Sequence, residues 1–155
     1  MSVDLSQTND GWSVWHRIGD GYTMAPEPGV YVVRLTTAKG SPVAIPRAIG
    51  VDQDGIVYIG ESTCLPNRLG RLLWITDDDI ATRQHHSLIA AWICYGLERL
   101  GERSLLEVRW RFCIDHKLQE CQMIGDYKKR YGVFRLETAT QADETLDSQA
   151  DLGVE

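Results

Sequence analysis

The chain has 155 residues, 43% hydrophobic and 25% charged, the balance of one globular domain able to bury its own core. No apolar run reaches membrane-spanning length, and the start MSVDLSQTND lacks the basic-then-apolar order of a signal peptide, so a cytoplasmic protein without membrane contacts is expected. The net charge of −6 argues against a nucleic-acid partner only until it is located: residues 1–136 hold 16 acids and all 16 Lys and Arg, and six acids from Glu137 to Glu155 carry the excess.

Residues 1–27 read as an irregular extension that packs on the core, with Trp12 and Trp15 spaced to anchor a short helix or loop. Gly29 to Leu35, rich in β-branched residues and preceded by Pro28, is a strand. Thr37 to Asp54, with two glycines and two prolines, is a long excursion with room for a short extra strand. Gly55 to Gly60 is the next strand and is expected to pair antiparallel with the first. Glu61-Ser62-Thr63 supplies cap residues, and Pro66 suits the first turn of a helix, where its missing N–H costs nothing. Arg68 and Arg71 follow three apart, on one side of that helix. Tyr58 near a strand end, an open Gly60 and a helical arginine thus converge, which suits a phosphate.

Thr76-Asp77-Asp78-Asp79 leads into a longer helix, from Ile80 to Leu100, whose acids complement its dipole. Leu88, Ala91, Trp92 and Tyr95 keep three-to-four spacing and form its core face. From Leu106 to Ile114 the chain alternates, with Val108, Trp110, Phe112 and Ile114 on one side and Glu107, Arg109 and Arg111 on the other. That is a strand packed on one face. Asp115 is placed to cap a last helix, His116 to Tyr131, with Glu120, Ile124, Tyr127 and Tyr131 on one stripe. Residues 137–155 read as an acidic, disordered tail. Cys64, Cys94, Cys113 and Cys121 make no C-x-x-C pair, so reduced, mostly buried thiols are expected and structural zinc is not.

This order of elements resembles the GIY-YIG nuclease superfamily. Gly29-Val30-Tyr31 stands for the first motif, Val57-Tyr58-Ile59-Gly60 for the second, and Arg68 lies eight residues past Gly60, where the family has its helical arginine. Glu120, early in the last helix, matches the family's metal-binding glutamate, with Tyr127 and Tyr131 fitting the pattern after it. His86-Ser87 and Leu106-Glu107-Val108-Arg109-Trp110 resemble one bacterial branch. The likeness runs from Pro28 to Phe134 and implies an α/β domain at 28–136 with a small, three-stranded, mainly antiparallel sheet flanked by helices. It implies a divalent-metal-dependent endonuclease that hydrolyses phosphodiesters of nucleic acid, DNA foremost.

Under that resemblance Glu120 holds one Mg²⁺ or Mn²⁺, and Arg68 gives a permanently charged, planar donor set to the same phosphate. Tyr31 and Tyr58 orient the attacking water, one of them acting as base if its pKa is lowered. His86 is a base or phosphate donor. Arg71, Arg109, Arg111, Lys128 and Lys129, with Arg34 and Arg130, offer the cations that bind nucleic acid. Three positions depart from the family. The Tyr31–Tyr58 connection is long; Leu72 stands four residues past Arg68, where many members have His or Tyr; and Gly132 stands twelve past Glu120, where many have asparagine. A catalytically silent module that binds nucleic acid or a protein is the alternative these departures keep open.

Overall fold

The computed structural model describes residues 10–18, 20–73 and 105–132. The expected helix from Ile80 to Leu100, with His86, and the expected tail 137–155 lie outside the described residues. The elements are β1 (His16–Arg17), β2 (Gly29–Leu35), β3 (Ile45–Pro46), β4 (Val51–Asp52), β5 (Ile56–Ser62), α1 (Leu65–Leu73), β6 (Leu106–Phe112) and α2 (His116–Tyr131). β1, β6, β2 and β5, in that order, form one antiparallel sheet, while β3 and β4 pair as a separate ribbon.

β2 sits between β6 and β5 because it can be buried on both faces. Its residues Val30, Tyr31, Val32, Val33 and Leu35 are all buried, with no charged side chain before Arg34. On one face Tyr31, Val33 and Leu35 pack with Val108, Trp110, and Leu65 and Leu69 of α1. On the other, Val30, Val32 and Ile59 pack with Trp12 and with Ile124, Tyr127 and Tyr131 of α2. Leu65 and Leu69 are wholly buried, which is worth about 1.5–3 kcal/mol for each. The stripe expected on the last helix is therefore its core face, although Asp115 makes no side-chain bond to the helix backbone; its carboxylate accepts from Gln119 Nε2 instead (3.0 Å).

The sheet has four strands, not the three expected. The fourth comes from the N-terminal extension: His16 and Arg17 pair with Val108 and Glu107. Two polar residues carry no strand signal; tertiary contacts hold them, with the His16 ring stacked on Trp110 at 4.8 Å and Arg17 Nη1 donating to Thr36 Oγ1 at 3.1 Å. Ser13 extends the same edge by exchanging bonds with the backbone of Trp110. β6 is also covered on both faces, because Trp12 and Trp15 lie over the side carrying Glu107, Arg109 and Arg111. Ile114 does not continue it: the strand ends at Phe112 and Ile114 is 91% exposed. Nor are the described thiols mostly buried, since Cys64 and Cys113 are half-buried and Cys121 is exposed, all three free.

The long excursion folds into the β3–β4 ribbon and docks on the end of α2. Asp52, fully buried, accepts hydrogen bonds from the backbone of Asp54 (2.9 Å) and Ile56 (3.0 Å) and from the Tyr127 hydroxyl (2.6 Å). Ile49 N–H donates to Tyr131 O at 3.0 Å. Beside that contact Gly132 ends α2 with φ of 86°, and a Cβ there would stand 3.0 Å from that of Ala48. Gly132 is therefore a terminator that only glycine suits, with no room for a supporting asparagine.

Candidate active site

β2 starts where β5 and β6 end, since Gly29 pairs with both Ser62 and Phe112. Each helix begins a few residues beyond: α1 at Leu65 and α2 at His116. The N–H groups of Leu65 and Cys113 donate to Glu27 O and Pro28 O, both at 3.0 Å, and so tie both helix approaches to the run-in of β2. Both helix starts thus lie at the end of the sheet where β2 begins, while Tyr58, opposite Val33, is further along β5.

Tyr31 and Gly60 are directly opposite in the β2–β5 ladder. The Tyr31 ring lies across Gly60: a Cβ there would be 2.6 Å from both Cζ and the hydroxyl, and 2.7 Å from Cε1 of Tyr58. The openness of Gly60 accommodates this tyrosine rather than a ligand, and the strand runs on past it to Ser62. The rings of Tyr31 and Tyr58 stack 5.8 Å apart at 25°. Tyr31 is wholly buried, and its hydroxyl has no well-aligned hydrogen-bond partner among the described residues. Burial, then the neighbouring Tyr58 phenol, hold its pKa well above the ordinary value, Glu120 adding to the rise and Arg68 opposing it. That direction keeps Tyr31 protonated, and half-buried Tyr58 is the phenol of the two with more access to solvent.

Glu120 stands one turn into α2. Burial raises its pKa, and Glu61 raises it further, while Arg68 and His116 act the other way. Those mutual influences put Tyr31, Tyr58, Arg68, Glu120, Glu61 and His116 in one neighbourhood. His116 Nδ1 lies 2.5 Å from Glu61 Oε2, in a pair with little solvent exposure. As a neutral ring, His116 donates from Nδ1 and keeps Nε2 as an acceptor. The expected site lacked Glu61 and His116, although both were visible as residues: Glu61 follows Gly60, and His116 is four before Glu120, on the same helix face.

The other expected residues spread outward. Arg71 is on α1, its side chain outside the described set, and Leu72, four residues past Arg68, carries no titratable group. Arg111 Nη2 donates to Gln119 Oε1 at 2.7 Å. Arg109 is half-buried beside Trp12 and Trp15, and burial lowers its pKa. Lys128 and Lys129 lie in the last turn of α2, about 12 Å along the helix from Glu120. They do not belong to the same spot.

Compared with known proteins, the chain matches no family model, no curated sequence and no solved structure. Among the described residues, no three His, Cys, Asp or Glu side chains gather into a metal cage, and no helix is long and apolar enough to cross a membrane. A hard cation held by one or two carboxylates and completed by waters needs no such cage. The half-buried Glu120, resisting ionisation beside Glu61, fits that kind of ligation, because a divalent ion would relieve both charges.

Proposed function

We propose that this sheet end is the active site of a metal-dependent endonuclease acting on nucleic acid, most directly DNA. The observation that supports it is the gathering of Tyr31, Tyr58, Arg68 and Glu120 from four separate elements around a shared charge balance. Glu120, with Glu61 near it, would hold one Mg²⁺ or Mn²⁺, which supplies positive charge to the phosphoryl and leaving oxygens. Arg68 donates to the same phosphate from a group that never loses its charge. Tyr58 orients the attacking water. Tyr31, buried and protonated, holds the Tyr58 ring by stacking. His116, paired with Glu61 through Nδ1, is a further titratable group beside Glu120, and His86 keeps its candidate role.

The complete burial of Tyr31 favours a second reading, in which the fold survives as a silent module that binds nucleic acid or protein. One panel separates the two: purified protein incubated with supercoiled plasmid, single-stranded DNA and RNA, each with Mg²⁺, Mn²⁺ or chelator. The nuclease nicks or linearises at least one substrate with metal and none in chelator, and Arg68→Ala slows it roughly 100- to 1,000-fold, as loss of a preorganised donor does. Binding without cleavage under every condition leaves the silent module.

A further inference from the structure

A concavity apart from the sheet-end site lies on the sheet face that α2 covers, near the C-terminal half of that helix. Its volume is about 410 Å³, within the roughly 300–1,000 Å³ of small-molecule sites. Trp15, Arg34, Arg109, Arg130, Tyr131 and Asp54 line it, among others. Planar groups dominate that wall. The Arg109 guanidinium lies 4.8 Å from the Trp12 ring and 4.7 Å from that of Trp15, and Arg34 lies over Trp15 at 4.0 Å. Arg130 lies 5.2 Å from the Tyr131 ring.

Arg34 is engaged by Glu107 at 2.7 Å, and Asp126 on the rim by Lys129 at 3.6 Å. Asp10 and then Asp54 are the carboxylates that act on Arg109, and Arg130 stands exposed on the rim. Arg109 Nε is buried without a hydrogen-bond partner among the described residues, so a ligand would meet the other nitrogens of this guanidinium. An anion can pair with the exposed Arg130 and with the remaining donors of Arg109; a flat ring stacks on guanidinium and aromatic planes; Asp54 accepts from a ring amino group. One ligand class carries all three features.

We propose that this pocket binds one nucleotide, its base against the Arg–Trp planes and its phosphate on Arg109 and Arg130. The nucleotide is either free or part of a strand. Arg130 is ten residues beyond Glu120, about 15 Å along α2, the length of roughly four stacked nucleotides. A strand cut at the sheet end could therefore place an unstacked nucleotide here; only that source rests on the proposed nuclease function.

Titration of the full chain in chelator, followed by tryptophan fluorescence and calorimetry, tests the pocket apart from any cleavage. The ligands are deoxyadenosine monophosphate, inorganic phosphate and a single-stranded DNA of about ten nucleotides. Saturable binding of the mononucleotide is expected, at least about tenfold tighter than phosphate. It should weaken by about tenfold or more in Arg130→Ala, an exposed change, and in Arg109→Lys, which keeps the charge but loses the planar donors. Circular dichroism confirms that both variants fold. A strand binding at least about tenfold tighter than the mononucleotide, and displaced by it, makes the occupant part of a strand; a mononucleotide binding equally well or better makes it free, and both uphold the pocket. No saturable binding of the mononucleotide, phosphate binding as tightly, or affinity unchanged in both folded variants overturns it.

Discussion

Glu120 is harder to ionise in the folded chain than in an unfolded one, because burial and then Glu61 oppose its charge. A carboxyl raised in this way adds stability that is complete below its ordinary value of 4.5 and is lost as pH rises through the raised value. Glu120→Gln removes that loss, so in chelator the melting temperature of the variant relative to wild type should climb from acid to neutral pH. Adding Mg²⁺ should narrow the gap at neutral pH by binding the ionised wild-type carboxylate. Thermal melts at both ends of the pH range check this, and a constant difference would contradict a desolvated Glu120. Gly60 makes a separate demand. A methyl group there meets both tyrosine rings below 3.0 Å, so Gly60→Ala should cost about 1–3 kcal/mol in urea unfolding as the rings are pushed aside. An unchanged midpoint would mean that the ring of Tyr31 can leave without penalty.

At the scale of elements, the β3–β4 ribbon is held to α2 by the buried Asp52 carboxylate together with the Ile49–Tyr131 backbone bond. Tyr127→Phe removes the 2.6 Å bond to Asp52 while keeping the ring, so it should cost about 1.5–3 kcal/mol in denaturant unfolding. A negligible loss would make the ribbon an independent attachment. The elements that could be read from sequence are those whose own residues specify them. β2 and β5 are runs of β-branched and aromatic residues, and α2 has Asp115 before it and Gly132 after it. β1 could not be read, because His16 and Arg17 become a strand only through Trp110 and Thr36, distant in sequence. Tyr31, Tyr58, Arg68 and Glu120 were legible as spaced motifs. The His116–Glu61 pair was not, since residues 55 apart meet only when the ends of β5 and β6 do. The pattern of β6 misled in a different way: charged residues that alternate with apolar ones read as a solvated face, yet guanidiniums can be roofed by tryptophans.

For the whole molecule, charge is the matter most open to test. The body from residue 1 to 136 is balanced, and the acids from Glu137 onward carry the net −6. Tail carboxylates that fold back on Arg109, Arg111 and the Lys128-Lys129-Arg130 run would compete with nucleic acid, most strongly at low ionic strength. Deleting residues 138–155 removes five of the six acids and takes the charge from −6 to −1. That truncation should tighten DNA binding at low salt, with the gain shrinking as salt rises; superimposable binding curves across the salt series would exclude competition. The sheet-end chemistry has a more direct test. Wild type and Glu120→Ala are compared on supercoiled plasmid in Mg²⁺, with DNA binding followed in parallel and each protein also run in excess chelator. Wild type should cut only with metal, and Glu120→Ala should bind without cutting. Cleavage at the wild-type rate by Glu120→Ala, or by wild type in chelator, would contradict a Glu120-held metal at this site.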